Sequence, residues 1–471
     1  MSEISRKAAR GTVWMLAARQ AVRFLGLIST FVLARILMPE DFGLIAQAMM
    51  IVGFIDLISS LGFEMSLIQD QQAGRDKYNT AWTLNVIKGV LSVALLAIVA
   101  APMADFFDEP RLEAVTYALA GVSLLRGFVN IGIVDFRKKL WFGPDFALMV
   151  GPKLVGIAFN IGFALYLRSY WALVIGAAGN ATASLVMSYI ASRYRPWFSL
   201  AAWRDLFSFS KWLLINNYLV YALRQAPVFL IARLLGSTQV GYYRMAAEIG
   251  NLVSSEITLP ILRALFPAYS KDKDRAVDLY MQAVGVCFLV LAPACVGIAL
   301  VAGPAVQLVL GETWLPIVPL VEILAIANLL ATLWLNPAMV AMARGRSRDS
   351  SFLLLARVAA VVPALAVFTP LYGLEGVAWA LLVAYAAYYL ICLGYVTLIL
   401  KVPLAAVVSV KWRTIAAVGA MALVVSQVPE NLWRIPIGAA VYVAVQFILW
   451  HVTGRRRGPE YHVFTRLGFK A

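Results

Sequence analysis

The chain has 471 residues, 62% hydrophobic and only 14% charged, with a mean hydropathy of +0.81, and such a composition excludes a soluble globular domain. A formal net charge of +15 would point to nucleic acid in a soluble protein, but in so apolar a chain its meaning depends on where each basic residue lies. Cys287, Cys295 and Cys392 all sit inside apolar runs, which excludes a disulfide framework and a CxxC metal site.

Apolar runs of about 20 residues recur along the whole length, each long enough to cross a bilayer core of about 30 Å, so the spans are predicted as helices. In chain order they cover roughly 11–37, 42–68, 80–104, 114–135, 146–167 and 171–191. A second set covers roughly 208–235, 240–267, 278–302, 317–341, 351–371 and 376–399, and a final pair lies near 414–428 and 433–452. The first run carries Arg19 and Arg23 near its middle and lacks a small-residue cleavage site, so it is expected to be a retained helix rather than a signal peptide.

Lysines and arginines collect on alternate connections: Arg6 to Arg10, Arg75 and Lys77, Arg137 to Lys139, Arg193 to Lys211, Lys271 to Arg275, Arg344 to Arg348, Lys401 to Arg413, and the tail. The opposite loops hold only Arg111, Arg168 and Arg434, beside acids such as Asp105, Asp108, Glu109 and Glu113. The positive-inside rule therefore predicts cytoplasmic termini and an even number of spans, about 14 in all. Eleven basic residues remain inside or at the ends of helices: Arg19, Arg23, Arg35, Lys88, Arg126, Lys153, Arg224, Arg233, Arg244, Arg263 and Arg357. A charge at the bilayer centre costs at least about 2.5 kcal/mol, so those far from a helix end are expected to face the bundle interior, water or a partner. The acids placed within helices are fewer, namely Asp56, Glu64, Glu248, Glu256 and Glu322, and the interior is expected to be net positive.

The chain repeats itself. Residues 31–45 read FVLARILMPEDFGLI and residues 229–243 read FLIARLLGSTQVGYY, an offset of 198 that aligns 11–68 on 209–266 and pairs Trp14 with Trp212, Arg35 with Arg233 and Gly43 with Gly241. Arg75-Asp76-Lys77 then aligns with Lys273-Asp274-Arg275, and further on Tyr170 to Leu173 resembles Ala378 to Leu381. Six spans separate the copies, so both have the same orientation and their pseudo-twofold lies along the membrane normal. The expected organisation is an all-α polytopic membrane protein with a six-helix lobe in 1–200, a second in 201–400, and two extra helices with a basic tail in 401–471.

The pattern Arg10-Gly11-Thr12, then Leu33 to Gly43 as LARILMPEDFG, then Leu61-Gly62-Phe63 and Leu67-Ile68-Gln69, resembles the polysaccharide-exporting flippases, nearest the colanic-acid and succinoglycan branch. Their superfamily also holds multidrug extruders and the peptidoglycan-precursor flippase. The resemblance covers most of the chain and is strongest in the first 80 residues. It implies a bacterial inner-membrane protein that moves an undecaprenyl-diphosphate-linked oligosaccharide between leaflets by alternating access, without enzymatic activity or a cofactor. It further implies dealings with a polysaccharide polymerase and export machinery; the last two helices, outside the repeat, either help hold the lipid tail, as the likeness to the peptidoglycan-precursor flippase implies, or are a peripheral addition.

Arg19, Arg23, Gly26 and Thr30 are spaced on one face of the first helix, and the offset maps positions 19, 23 and 26 onto Asn217, Tyr221 and Arg224, again one face. Guanidinium forks suit a diphosphate, so Arg19, Arg23, Arg224, Asn217 and Tyr221 are the candidate headgroup contacts in a central cavity. Pairing of these arginines with internal acids is the competing reading. Asp56, Glu64 and Glu256 are candidates either for coupling to Na+ or H+ or for counter-ions. Arg35 and Arg233 are expected to be structural, snorkelling or pairing with Glu40 and Asp41. A membrane enzyme is disfavoured because the two histidines, His451 and His462, lie at the end of the last helix and in the tail. The Asp272-Lys273-Asp274 triplet reads as a solvated loop. A cation-coupled multidrug extruder of the same fold is the remaining alternative, against which the excess of internal cations counts.

Overall fold

In a computed structural model, residues 3–58, 63–139, 141–203, 211–254, 258, 261, 269, 275–335 and 337–453 are described. Every regular element among them is helical. Contacts divide the chain into two compact units, Met1–Gly241 and Tyr242–Ala471.

In the first unit, α1 (Glu3–Ala34) packs against α7 (Phe142–Leu167), which pairs with α8 (Trp171–Ala191) as a tight antiparallel hairpin. Glycines let these two backbones approach: a Cβ at Gly156 would press on Asn180, and one at Gly176 would overlap the Asn160 amide. The turn between them opens at Arg168, which takes a left-handed conformation (φ 46°) and caps α7 by donating its backbone N–H to Ala164 O. Helix α4 (Arg75–Phe107) pairs with α5 (Arg111–Gly127), and α5 lies on both α8 and α2 (Pro39–Ile58). The short α3 (Phe63–Gln69) and α6 (Val134–Lys138) meet at one end of α4 in an apolar cluster built on Leu67, Tyr78, Trp82 and Val134. Helix α9 (Lys211–Leu235) leans on α2 and is followed by α10 (Ser237–Gly250).

In the second unit, α11 (Ala276–Leu300) packs against α13 (Val318–Thr332) and α16 (Leu404–Ser426), with α12 (Ala302–Val309) and α14 (Ala338–Ala343) as short connectors. The helical stretch α15 runs from Ser347 to Gly394, but Gly373 breaks it with φ 59° and ψ −135°. Arg357 and Tyr385 would stand about 42 Å apart along a straight helix. The Arg357 guanidinium instead lies 5.2 Å from the Tyr385 ring centre. The helix is therefore a hairpin of two spans, as the separate runs 351–371 and 376–399 predict. A single non-glycine residue at 373 would be strained by that φ. Helix α17 (Arg434–Val452) returns along α16.

Each of the fourteen predicted segments coincides with helix over most of its described residues. Among these residues ten helices are long and apolar enough to cross a membrane, counting the α15 hairpin once, or eleven if the pair Arg111–Gly127 and Ile131–Lys138, bent by 59°, is one span. One boundary differs in a way that matters. Residues 401–413 read as a basic connection, yet α16 starts at Leu404 behind Pro403 and carries Lys411 and Arg413 inward, only 4% and 8% exposed. Aromatic faces make this tolerable: the Lys411 ammonium sits 3.7 Å from the Trp334 ring centre and 5.2 Å from that of Tyr389. Its Nζ nevertheless has no hydrogen-bond acceptor among the described residues. Lys411→Met fits the same space without stranding three donors, and is expected to raise stability by about 1 kcal/mol. Thermal unfolding followed by tryptophan fluorescence measures this, and a lower melting temperature would mean that the aromatic contacts outweigh the desolvation.

Candidate substrate-binding face

On α1, Arg19 is exposed on the first unit and Arg23 is half-buried four residues on. One turn further, Gly26 faces a side chain from another helix. A Cβ at Gly26 would lie 3.7 Å from both Cε and Nζ of Lys153 on α7, so that ammonium rests against the α1 face. Thr30 closes the stripe by donating its hydroxyl to Gly26 O at 2.9 Å. The structure thus extends the predicted α1 stripe with a third cation from a different helix. In the sequence Lys153 stands out only as an intramembrane lysine, and nothing in the spacing assigns it to α1.

The α9 residues divide. Asn217 is half-buried and Arg224 exposed. Tyr221 is committed to packing: its hydroxyl donates to Met50 O at 2.9 Å, accepts from Gln225 Nε2 at 3.2 Å, and lies where a Cβ on Gly53 would be. Its ring also meets Phe54, which in turn packs edge-on against Tyr218. Tyr221 therefore fixes the rotation of α9 on α2, which sets where Arg224 points. Tyr221→Phe is expected to cost about 1 kcal/mol through loss of the Met50 bond, read as a lower melting temperature with unchanged substrate affinity.

Asp56, half-buried on α2, accepts a hydrogen bond from the buried Ser92 on α4 at 3.4 Å. Lys88, also half-buried, lies one turn before Ser92 on the same helix. Glu64 falls within α3 with its side chain outside the described residues, and Glu256 lies outside them altogether. Arg233 is exposed and stacks on Phe106, 5.1 Å from its centre. Glu40 pairs with Arg111, while Asp41 accepts the backbone amides of Met38 and Tyr170 at 3.0 and 2.9 Å. Glu40 is thus bound by the arginine that opens α5, on the acidic side.

That arginine belongs to a network at the start of α2 and α10. Arg111 reaches both Glu109 oxygens at 2.7 and 2.8 Å, Ser237 Oγ donates to Glu109 Oε2 at 2.6 Å, and Gln47 Nε2 donates to Ser237 Oγ at 3.2 Å. Two glycines let the elements meet. A Cβ on Gly43 would overlap Ser237 O, and one on Gly241 would overlap Pro39 O. Burial would raise the Glu109 carboxyl, but the Arg111 and Ser237 hydrogen bonds and the Arg111 charge together hold it below its ordinary 4.5. A depressed carboxylate contributes stability that is complete above pH 4.5 and is lost as the pH falls through the depressed value. Glu109→Gln is therefore expected to lower the melting temperature at pH 7 and to flatten the acid limb of a stability–pH curve. An unchanged acid limb would assign acid loss to other carboxylates.

The chain matches the family described as "Polysaccharide biosynthesis protein" over residues 32–319. It is 26% identical over 358 residues to the lipopolysaccharide biosynthesis protein WzxC of Escherichia coli (strain K12), covering 74% of this chain and 72% of the relative. It is 25% identical over 335 residues to the succinoglycan biosynthesis transport protein ExoT of Rhizobium meliloti (strain 1021), covering 69% and 67%. Among solved structures, the lipid II flippase MurJ in an inward closed conformation superposes with a TM-score of 0.76 at 13% identity, covering 94% of this chain and 99% of that one. An inward-facing multidrug MATE transporter gives 0.56 at 15% identity, covering 78% and 92%. The fold is that of these transporters, and the chain belongs to the polysaccharide biosynthesis protein family.

Proposed function

We propose that this protein moves an undecaprenyl-diphosphate-linked oligosaccharide from the cytoplasmic to the periplasmic leaflet of a bacterial inner membrane, for exopolysaccharide or lipopolysaccharide synthesis. The observation that carries the proposal is the cationic face of α1: Arg19 and Arg23 with Lys153 brought against Gly26 from α7. Three cationic donors on one face of spanning helices suit an anionic cargo, and a lipid diphosphate supplies oxygens that accept forked and single charge-assisted bonds. Arg224 and Asn217 add donors from α9, and Tyr221 sets their angle. The names of the sequence relatives, a lipopolysaccharide biosynthesis protein and a succinoglycan transport protein, support a glycan cargo. Both termini face the cytoplasm in this reading, the cargo is unchanged chemically, and a polymerase with its export machinery receives it. Coupling runs through Na+ or H+ at Asp56, Glu64 or Glu256.

A multidrug extruder of the same fold would attract cations, and the α1 face repels them. The test is reconstitution of the full chain in vesicles with a lipid-linked oligosaccharide whose glycan is accessible to an impermeant lectin. Time-dependent change in lectin access, absent from protein-free vesicles, is the expected result. Export of a cationic dye with no movement of the glycan lipid would overturn the assignment.

A further inference from the structure

The connection after α8 does not behave like a solvated loop. From Ser192 to Leu200 it runs without helix along the first turns of α4 and then turns at Ala201-Ala202, pinned by side chains: Asn79 Oδ1 accepts the Trp197 amide at 3.0 Å, Thr83 Oγ1 that of Ser199 at 3.0 Å, and Thr80 Oγ1 that of Ala202 at 3.2 Å. Asn130 Nδ2 holds Tyr194 O at 2.7 Å from the other side. With its backbone fixed, the segment presents Trp197, Phe198, Leu200 and Trp203 outward, all substantially exposed, together with Arg193 and Arg195. Four large apolar side chains within seven residues do not suit water. Aromatics beside arginines suit the headgroup level of a bilayer.

Arg195 stands at the rim of a groove of about 670 Å³ lined otherwise by Phe128, Leu185, Val186, Tyr189 and Ile190. Its Nη1 is held by Ser192 O at 2.7 Å and Tyr194 O at 3.0 Å, and the guanidinium lies 5.7 Å from the Tyr189 ring centre. These contacts lock the plane of the group and leave Nε and Nη2 with no acceptor, carboxylate or other, among the described residues. The free edge of an oriented guanidinium is the fork that binds two oxygens of one phosphate. Below it Val186 and Ile190 are open for an acyl chain.

We propose that Arg195 and this groove form a binding site for one anionic phospholipid, its phosphate on Nε and Nη2 and one acyl chain along α8. The site lies in the leaflet on the lysine- and arginine-rich side of the protein. Charge complementarity selects an anionic lipid: Arg193 lies two residues away, so a net negative headgroup is favoured over a zwitterionic one. The site is separate from the α1 face and needs only that the chain span a membrane.

The test is native mass spectrometry of the full chain, titrated with phosphatidylglycerol and, separately, phosphatidylcholine. Wild type is expected to hold one phosphatidylglycerol more tightly than the rest, and Arg195→Gln to weaken that one about tenfold, the equivalent of about 1.4 kcal/mol. Arg195→Lys keeps the charge but loses the fork and falls between them. Val186→Trp, which fills the groove and leaves the arginine in place, is expected to lower occupancy as well, so the proposal does not rest on one variant. Equal binding of phosphatidylcholine, or the same tightly held lipid in both Arg195→Gln and Val186→Trp, would overturn the site. Displacement of that lipid by the lipid-linked oligosaccharide at equal concentration would also overturn it, by making the groove part of the cargo path.

Discussion

Substituting Arg19 and Arg23 together by Gln is expected to cut translocation of the lipid-linked oligosaccharide on the order of 100-fold or more, with the protein still present in the membrane at normal level. Each charge-assisted bond to a phosphate oxygen contributes about 1.5–3 kcal/mol, so two lost guanidinium contacts multiply to at least that factor. Arg19→Lys with Arg23→Lys keeps both charges and discards the planar forks; roughly tenfold loss is expected. Lys153→Gln, remote in sequence and adjacent in space through Gly26, should show a comparable tenfold loss. The decisive comparison is between cargo affinity and protein stability. Headgroup contacts move the first and spare the second, whereas helix-fixing ion pairs move the second. Full transport by the double Gln variant would remove the α1 face from the cargo site.

The second large effect is expected from Gly43 and Gly241. In each case a Cβ would overlap a backbone oxygen, Ser237 O for Gly43 and Pro39 O for Gly241, so no side-chain rotation relieves the clash. Overpacking of this kind costs about 1–3 kcal/mol and more where backbone must move. Either Ala variant is expected to lose membrane abundance several-fold. The double Ala variant should be worse than either, since each Cβ meets a different oxygen. Abundance is read by fluorescence-detected size exclusion, and wild-type levels for Gly43→Ala would show that the two helix starts are free to separate.

Much of the fold was legible because a bilayer reduces the problem to long apolar runs. The same simplicity explains the error at α16: Lys411 and Arg413 look like interfacial charges, and only packing reveals that Trp334 and Tyr389 face the lysine. The hairpin inside α15 was readable from the two separate apolar runs 351–371 and 376–399, whereas the path from Ser192 to Ala202 was not, since it is held by Asn79, Thr80 and Thr83 more than 100 residues earlier. In the candidate site, helical spacing found the α1 stripe because its period belongs to one element. It could not find Lys153, whose place depends on α7 packing on α1, nor foresee that the Tyr221 hydroxyl is spent on Met50.

The contact around Gly43 has a meaning beyond stability. The offset of 198 that aligns the two copies pairs Pro39 with Ser237 and Gly43 with Gly241. In space Gly43 meets Ser237 and Gly241 meets Pro39, so each residue touches the partner of its own counterpart. That reciprocal pattern defines an isologous interface, in which one patch binds itself across a twofold. A gene duplication that joined two identical subunits end to end would leave this imprint. Before the fusion a single glycine codon would have governed both sides of the contact; afterwards each side became free to change alone, and the first copy kept a proline and two acids where the second has Ser237, Thr238 and Gln239.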